Sequence, residues 1–173
     1  MWSKTRQVLL GKLAPSLQGR VNFIRESFTS QKLKYWSTTP IFRITVDGKT
    51  WLATTCYDIW QFIPARFMQR ELASNNKKIA EKTGDIFWKE PEEDRTGLVN
   101  GAIHEYFNVL SFEECLKPEQ GFCNILAVLD YRLGKKRLRK MLNEIDNCPD
   151  FLYKWIMLRA EAEGLLKKKG VIA

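Results

Sequence analysis

Histidine is almost missing from this 173-residue chain, where His104 stands alone. Cysteine is scarce and scattered: Cys56, Cys115, Cys123 and Cys148 lie 59, 8 and 25 residues apart, with no Cys-x-x-Cys pair. A structural zinc site needs close ligand pairs to set its tetrahedron, so this spacing argues against one. The expectation is four reduced thiols behaving as small apolar side chains, as in the cytoplasm. No apolar run approaches the roughly 20 residues of a membrane span, so no membrane association is expected. The opening Met1-Trp2-Ser3-Lys4-Thr5-Arg6 is charged but leads into no signal-peptide core. Also missing are the Gly-x-Ser-x-Gly elbow of serine hydrolases and any glycine loop built to cradle phosphate. No catalytic, cofactor-binding or metal-binding residue is therefore assigned, and no cofactor is expected.

What the chain does contain suits one folded domain over 1–173. Apolar residues make up 45% and aromatics 12%, with ten Phe and six Trp, enough to bury a core. The net charge of +8 is segregated. Residues 1–86 hold 14 Lys and Arg against 6 Asp and Glu, whereas residues 87–173 hold 14 of each. From Glu90 to Glu119 there are eight acids and two bases; from Arg132 to Lys140 there are six bases and no acid. Segregation of this kind steers partners and does not dictate a fold.

The residue pattern predicts an α+β domain: an N-terminal helix, a three-stranded antiparallel sheet, then a mainly helical C-terminal two-thirds. The β-rich part spans about 17–55 and the helical part about 56–170. Ser3 is read as the cap of a first helix over Lys4–Leu13, with Val8, Leu9 and Leu13 on one face. Strands follow at Val21–Phe28, Ile41–Val46 and Lys49–Thr54. Asp47-Gly48 joins the last two, because both residues accept the positive φ of a tight hairpin. Helices are then expected over Cys56–Phe62 and Ala65–Lys82, an acidic loop over Asp85–Asp94, and a helix over Arg95–Asn108. Ser111-Phe112-Glu113-Glu114 reads as a capping box. Phe122, Ile125, Leu126, Leu129 and Leu133 form one apolar helical stripe, and Leu138, Met141, Leu142 and Ile145 a second. Pro149 suits the first turn of a third helix, with Phe151, Trp155, Leu158, Ala162 and Leu165 inside.

Several blocks resemble a family of bacterial hypothetical proteins. They are MWSKT at the start, LQGRV at Leu17–Val21, ITVDGK at Ile44–Lys49, LSFEECL at Leu110–Leu116, LDYRLGKKRLRKM at Leu129–Met141 and LRAEAEGL at Leu158–Leu165. The resemblance runs in order along nearly the whole chain and is weakest from about Arg66 to Glu93. It implies a bacterial, soluble, one-domain protein and brings with it no activity, cofactor or catalytic residue.

Two charged constellations stand out. Lys135, Lys136, Arg139 and Lys140, together with Arg137, crowd one predicted helix after Gly134. They could contact an anion or nucleic acid in the manner of a helix-turn-helix, or form a solvated face that complements nearby acids. The second reading is preferred, since Lys is a poor reader of base edges and Glu144, Asp146 and Asp150 follow at once. Asp130, Arg132, Arg159, Glu161 and Glu163 could form a structural ion-pair network across three helices, or a polar site for an anionic ligand. Here too the structural reading is preferred.

Three weaker features are read as structural. His104 is adjacent to Glu105, but neighbouring helical residues point about 100° apart, so that carboxylate is poorly placed to orient it. The aromatics Phe23, Phe28, Tyr35, Trp36, Phe42, Trp51, Tyr57, Trp60 and Phe62 alternate with bases, yet one sheet face needs them as core. Glu90, Glu92, Glu93 and Asp94 lack the spacing of a calcium loop. The expected function is a non-enzymatic binding or accessory protein acting on another macromolecule. A protein partner is favoured, and nucleic-acid binding through the basic helix at 135–140 is the alternative.

Overall fold

The computed structural model describes residues 2–29, 38–53 and 95–166. Helix α1 (Trp2–Lys12) leads through a 3-10 turn at Pro15–Leu17 into strands β1 (Val21–Thr29), β2 (Thr38–Val46) and β3 (Lys49–Ala53). Helices α2 (Arg95–Asn108), α3 (Phe112–Cys115), α4 (Phe122–Leu129), α5 (Lys135–Asn143) and α6 (Asp150–Ala162) follow. This is the α+β order read from the residues: helix, three-stranded antiparallel sheet, then helices. The expected helices over Cys56–Phe62 and Ala65–Lys82 and the acidic loop with Glu90, Glu92, Glu93 and Asp94 lie outside the described residues. So do Cys56, Tyr35, Trp36, Tyr57, Trp60 and Phe62, and the side chain of Phe28.

The sheet is a meander in the order β1-β2-β3. Asp47 and Gly48 both take positive φ, 49° and 77°, as the hairpin requires. Val21 faces Val46 and Phe23 faces Ile44, which puts these apolar residues on one side of the pleat. Between β2 and β3 the register slips by one: Ile44 faces Leu52 but Thr45 faces Thr50, so Trp51 is the extra residue of a bulge. Trp51 then meets Trp155 of α6, their ring centroids 5.5 Å apart. Arg6 of α1 tethers the outer strand, donating to Phe23 O at 3.0 Å and to Asn22 Oδ1 at 2.8 Å.

The core is centred on α4, whose eight residues are all buried. A helix apolar on every side belongs in the middle of a protein. Its Phe122 packs edge-on against Phe42 of the sheet at 5.6 Å, and Trp2 of α1 also meets Phe42 edge-on at 5.6 Å. Phe23 and Phe42 are thus core residues. The far end of α4 joins the end of α1 through a short antiparallel bridge. Ala14 N–H donates to Leu129 O, and Tyr131 N–H to Lys12 O, each at 2.9 Å.

Several sequence expectations are corrected. Ser3 lies inside α1 and does not cap it. Val8 is exposed while Leu9 and Leu13 are buried, since residue 8 sits a full 100° round the helix from residue 9. Strand β1 runs to Thr29 and β2 starts at Thr38, so their ladder is longer than the alternation alone suggested. The first apolar stripe is not one helix: α4 stops at Leu129, and Leu133 reaches the core from the following turn. Pro149 precedes α6 as its cap rather than opening its first turn.

Candidate functional site

Where α4 ends, Asp130 takes an extended backbone and its carboxylate organises the turn. Oδ1 accepts the backbone N–H of Arg132 at 2.7 Å, the two-residue reach typical of aspartate in turns. Oδ2 accepts Nε and Nη2 of Arg132, at 2.9 and 2.7 Å, and the hydroxyl of Tyr106 from α2. Arg132 Nη2 also donates to the Tyr106 hydroxyl oxygen at 3.2 Å, and its guanidinium lies 4.5 Å from the centre of the Phe112 ring. Asp130 is only 1% exposed, so these donors take the place of water around its carboxylate. Burial, with the neighbouring Asp130 carboxylate, holds the Tyr106 phenol far above its ordinary value. Arg132 is raised chiefly by its bonds to Asp130. Both groups therefore keep their protons at neutral pH.

The second cluster is built by the end of α6. Gly164 takes φ +68°, where side chains are strained. Its N–H donates to Glu161 O at 2.9 Å, and the N–H of Leu165 to Ala160 O at 2.8 Å, which together make a Schellman turn. That turn holds Glu163 at the helix end, facing inward. Glu163 Oε1 accepts the Ser16 hydroxyl at 2.7 Å and lies 3.1 Å from Arg159 Nη2, while Oε2 lies 3.3 Å from Lys135 Nζ. Burial works to raise this carboxyl, but Ser16, Arg159 and Lys135 outweigh it and hold it below the usual carboxylate range.

Arg159 is 3% exposed and donates to Leu133 O at 3.2 Å, across to the turn before α5. Its Nε and Nη1 are buried with no hydrogen-bond partner, as is Nε1 of Trp155 one turn earlier. Burial pulls Arg159 below the ordinary arginine value against the attraction of Glu163 and Asp130.

The five residues expected to form one ion-pair network fall into three groups. Asp130 and Arg132 pair with each other, and Arg159 pairs with Glu163. Glu161 faces solvent on the other side of α6, 4.0 Å from Arg20, which itself bonds Asp47 of the hairpin at 2.8 Å. Sequence reading missed Tyr106, Ser16 and Phe112. Their partners lie on other elements, and nothing local distinguishes them from ordinary helix or turn residues. The two blocks LDYRLGKKRLRKM and LRAEAEGL meet here, through Arg159 on Leu133 and Glu163 on Lys135.

On α5 the basic residues divide. Lys135 is taken by Glu163, and Arg137 by Glu113 at 2.6 Å. Leu138 is buried, with Met141 and Leu142 half-buried, so the apolar side of α5 is used by the core. Lys136, Arg139 and Lys140 are exposed on the opposite face, and no ion pair reaches them among the described residues. Glu144, Asp146 and Asp150 follow, all exposed.

Other candidates carry less chemistry. A crevice lined by Leu9, Lys12, Leu13, Tyr106, Leu126 and Asp130 has about 10 Å³, the room of one water. His104 is exposed, and its backbone oxygen accepts the side-chain amide of Asn108 at 3.1 Å. Cys115 and Cys148 are free thiols, Cys123 Sγ donates to Ala102 O at 3.2 Å, and burial pushes Cys115 up to about 11. Among the described residues no group of His, Cys, Asp and Glu is arranged to hold a metal. No described helix is long and apolar enough to cross a membrane.

No curated protein and no solved structure matches the chain. A family model does, over residues 1–160, which takes in the sheet, the Asp130 turn and Arg159. On that match, the chain belongs to the SF0329 protein family.

Proposed function

We propose that this is a bacterial, cytoplasmic, non-enzymatic protein that binds an acidic macromolecule through the outer face of α5. The observation that carries this reading is the division of charge on that helix. Lys135 and Arg137 already have carboxylate partners, whereas Lys136, Arg139 and Lys140 project into solvent at i, i+3 and i+4 with none among the described residues. Three like charges on one face repel one another mildly, and an acidic partner relieves that. The buried ionic groups support the non-enzymatic part. Asp130 is committed to Arg132, Tyr106 and the Arg132 N–H, Glu163 to Ser16, Arg159 and Lys135, and the crevice beside Asp130 admits about one water. The free thiols of Cys115 and Cys148 and the lack of a membrane-crossing helix among the described residues fit a cytoplasmic setting.

Retention of the full chain on immobilised poly-glutamate, followed as salt is raised, tests the proposal. The wild type elutes later than K136E/R139E/K140E, the difference shrinks with salt, and the two melt at the same temperature. Equal retention of both proteins removes α5 as the contact surface.

A further inference from the structure

Resting on that reading of α5, we infer that its partner is another protein presenting a short cluster of carboxylates, and not the continuous phosphate backbone of a nucleic acid. The inference comes from what bounds the cationic face. Helix α5 has nine residues, and its cations without a carboxylate partner among the described residues lie between Lys136 and Lys140, about 6 Å along the axis. At the C-terminal end Glu144 lies one turn beyond Lys140, with Asp146 exposed just after it. On the flank, Glu113 is 65% exposed while it holds Arg137. The patch is therefore small and framed by acids.

A duplex carries one charge per about 1.7 Å of its axis, so it overruns three cations and brings phosphates against Glu144, Asp146 and Glu113. A few carboxylates on one turn of a partner helix fit within the frame, and basic residues beside them would meet the framing acids favourably. Two further observations weigh against base reading. In a helix-turn-helix the first residues of the recognition helix reach the bases. Here Lys135, the first residue of α5, is drawn back onto Glu163 at 3.3 Å and also reaches the Glu163 carbonyl at 3.4 Å. The rotation of α5 is fixed as well, by buried Leu138 on its inner side and the Arg137–Glu113 pair on its flank.

The test uses the full isotope-labelled chain, followed by amide NMR, with two probes in parallel. One is a helical peptide bearing Glu at i, i+3, i+4 and i+7; the other is a duplex DNA of about 20 base pairs. The peptide is expected to shift the amides of α5, and its affinity to fall about tenfold in K136E/R139E/K140E. The E144K/D146K variant separates the partners: it is expected to raise duplex affinity about tenfold while changing peptide affinity less. If wild-type protein binds the duplex more tightly than the peptide through α5, the partner class is wrong while the α5 reading stands. If neither probe shifts α5, the α5 reading itself fails.

Discussion

Arg159 on α6 and Arg139 on α5 carry the same guanidinium on helices that pack together. One is 3% exposed, shares a carboxylate with Lys135, holds the carbonyl of Leu133 and leaves two donors unmatched; the other stands in solvent. In the interior each unmatched donor and each removed partner has a cost of kilocalories, because water is not there to replace it. At the surface water and salt compensate, and the same charge affects stability little while remaining available to a partner. The protein thus separates ionic side chains by depth: a clasp inside, and outside the exposed cations that the proposed contact would use.

Removing Arg159 should break this contrast most severely. Arg159→Ala leaves Leu133 O unbonded, Glu163 less well paired and a cavity behind, and should cost about 3–5 kcal/mol, a melting point lower by about 10 °C. Arg159→Met should cost much less, since an apolar side chain of similar length removes the unmatched donors along with the charge. Chemical denaturation of both variants checks this, and equal losses would mean that the lost pairing, rather than the cavity, sets the cost. Arg132→Ala comes next, at about 2 kcal/mol, because Asp130 keeps only Tyr106 and a backbone N–H while the lost arginine was partly exposed. An unchanged thermal transition would show that the Asp130 turn does not depend on its ion pair.

The Glu163 carboxyl sharpens the comparison through pH. Its folded-state value lies below the unfolded value of about 4.5, so its contribution is complete above that value and is lost as pH falls through the lower one. Glu163→Gln should therefore be less stable than the wild type near pH 7, and the two melting curves should converge as pH falls below about 4. A gap that stays constant with pH would rule out the carboxylate as the source. The smallest effect belongs to the outer face: K136E/R139E/K140E should change stability by no more than about 0.5 kcal/mol. A large loss there would mean that these cations brace the fold after all.

Local chemistry made much of the framework legible. Asp47-Gly48 turns where its tolerance of positive φ requires, and Ser111 and Glu114 cap each other, with Glu114 N–H on Ser111 Oγ at 3.2 Å and Ser111 N–H on Glu114 Oε2 at 2.8 Å. The charged residues of the LDYRLGK and RAEAEG blocks were recognisable as candidates for pairing, but their partners were not. Glu161 and Glu163 differ by two positions, which on a helix puts them about 200° apart, so one meets Arg20 outside and the other Arg159 inside. The choice between those faces depends on which side of α6 the core lies. Tyr106 and Ser16 were invisible for the same reason, being 24 and 147 residues from the carboxylates they bond.

By itself the sequence determined the order of the described helices and strands, the hairpin, the Ser111–Glu114 cap and the concentration of cations at 135–140, because each depends on residues within a few positions of one another. Only the tertiary structure decided that α4 would be buried on every side, that Leu133 would reach the core from a turn, and that Lys135 and Arg137 would be neutralised while Lys136, Arg139 and Lys140 were left outside. Burial and ion pairing are relations between segments far apart in the chain, and they exist only once packing has brought those segments together.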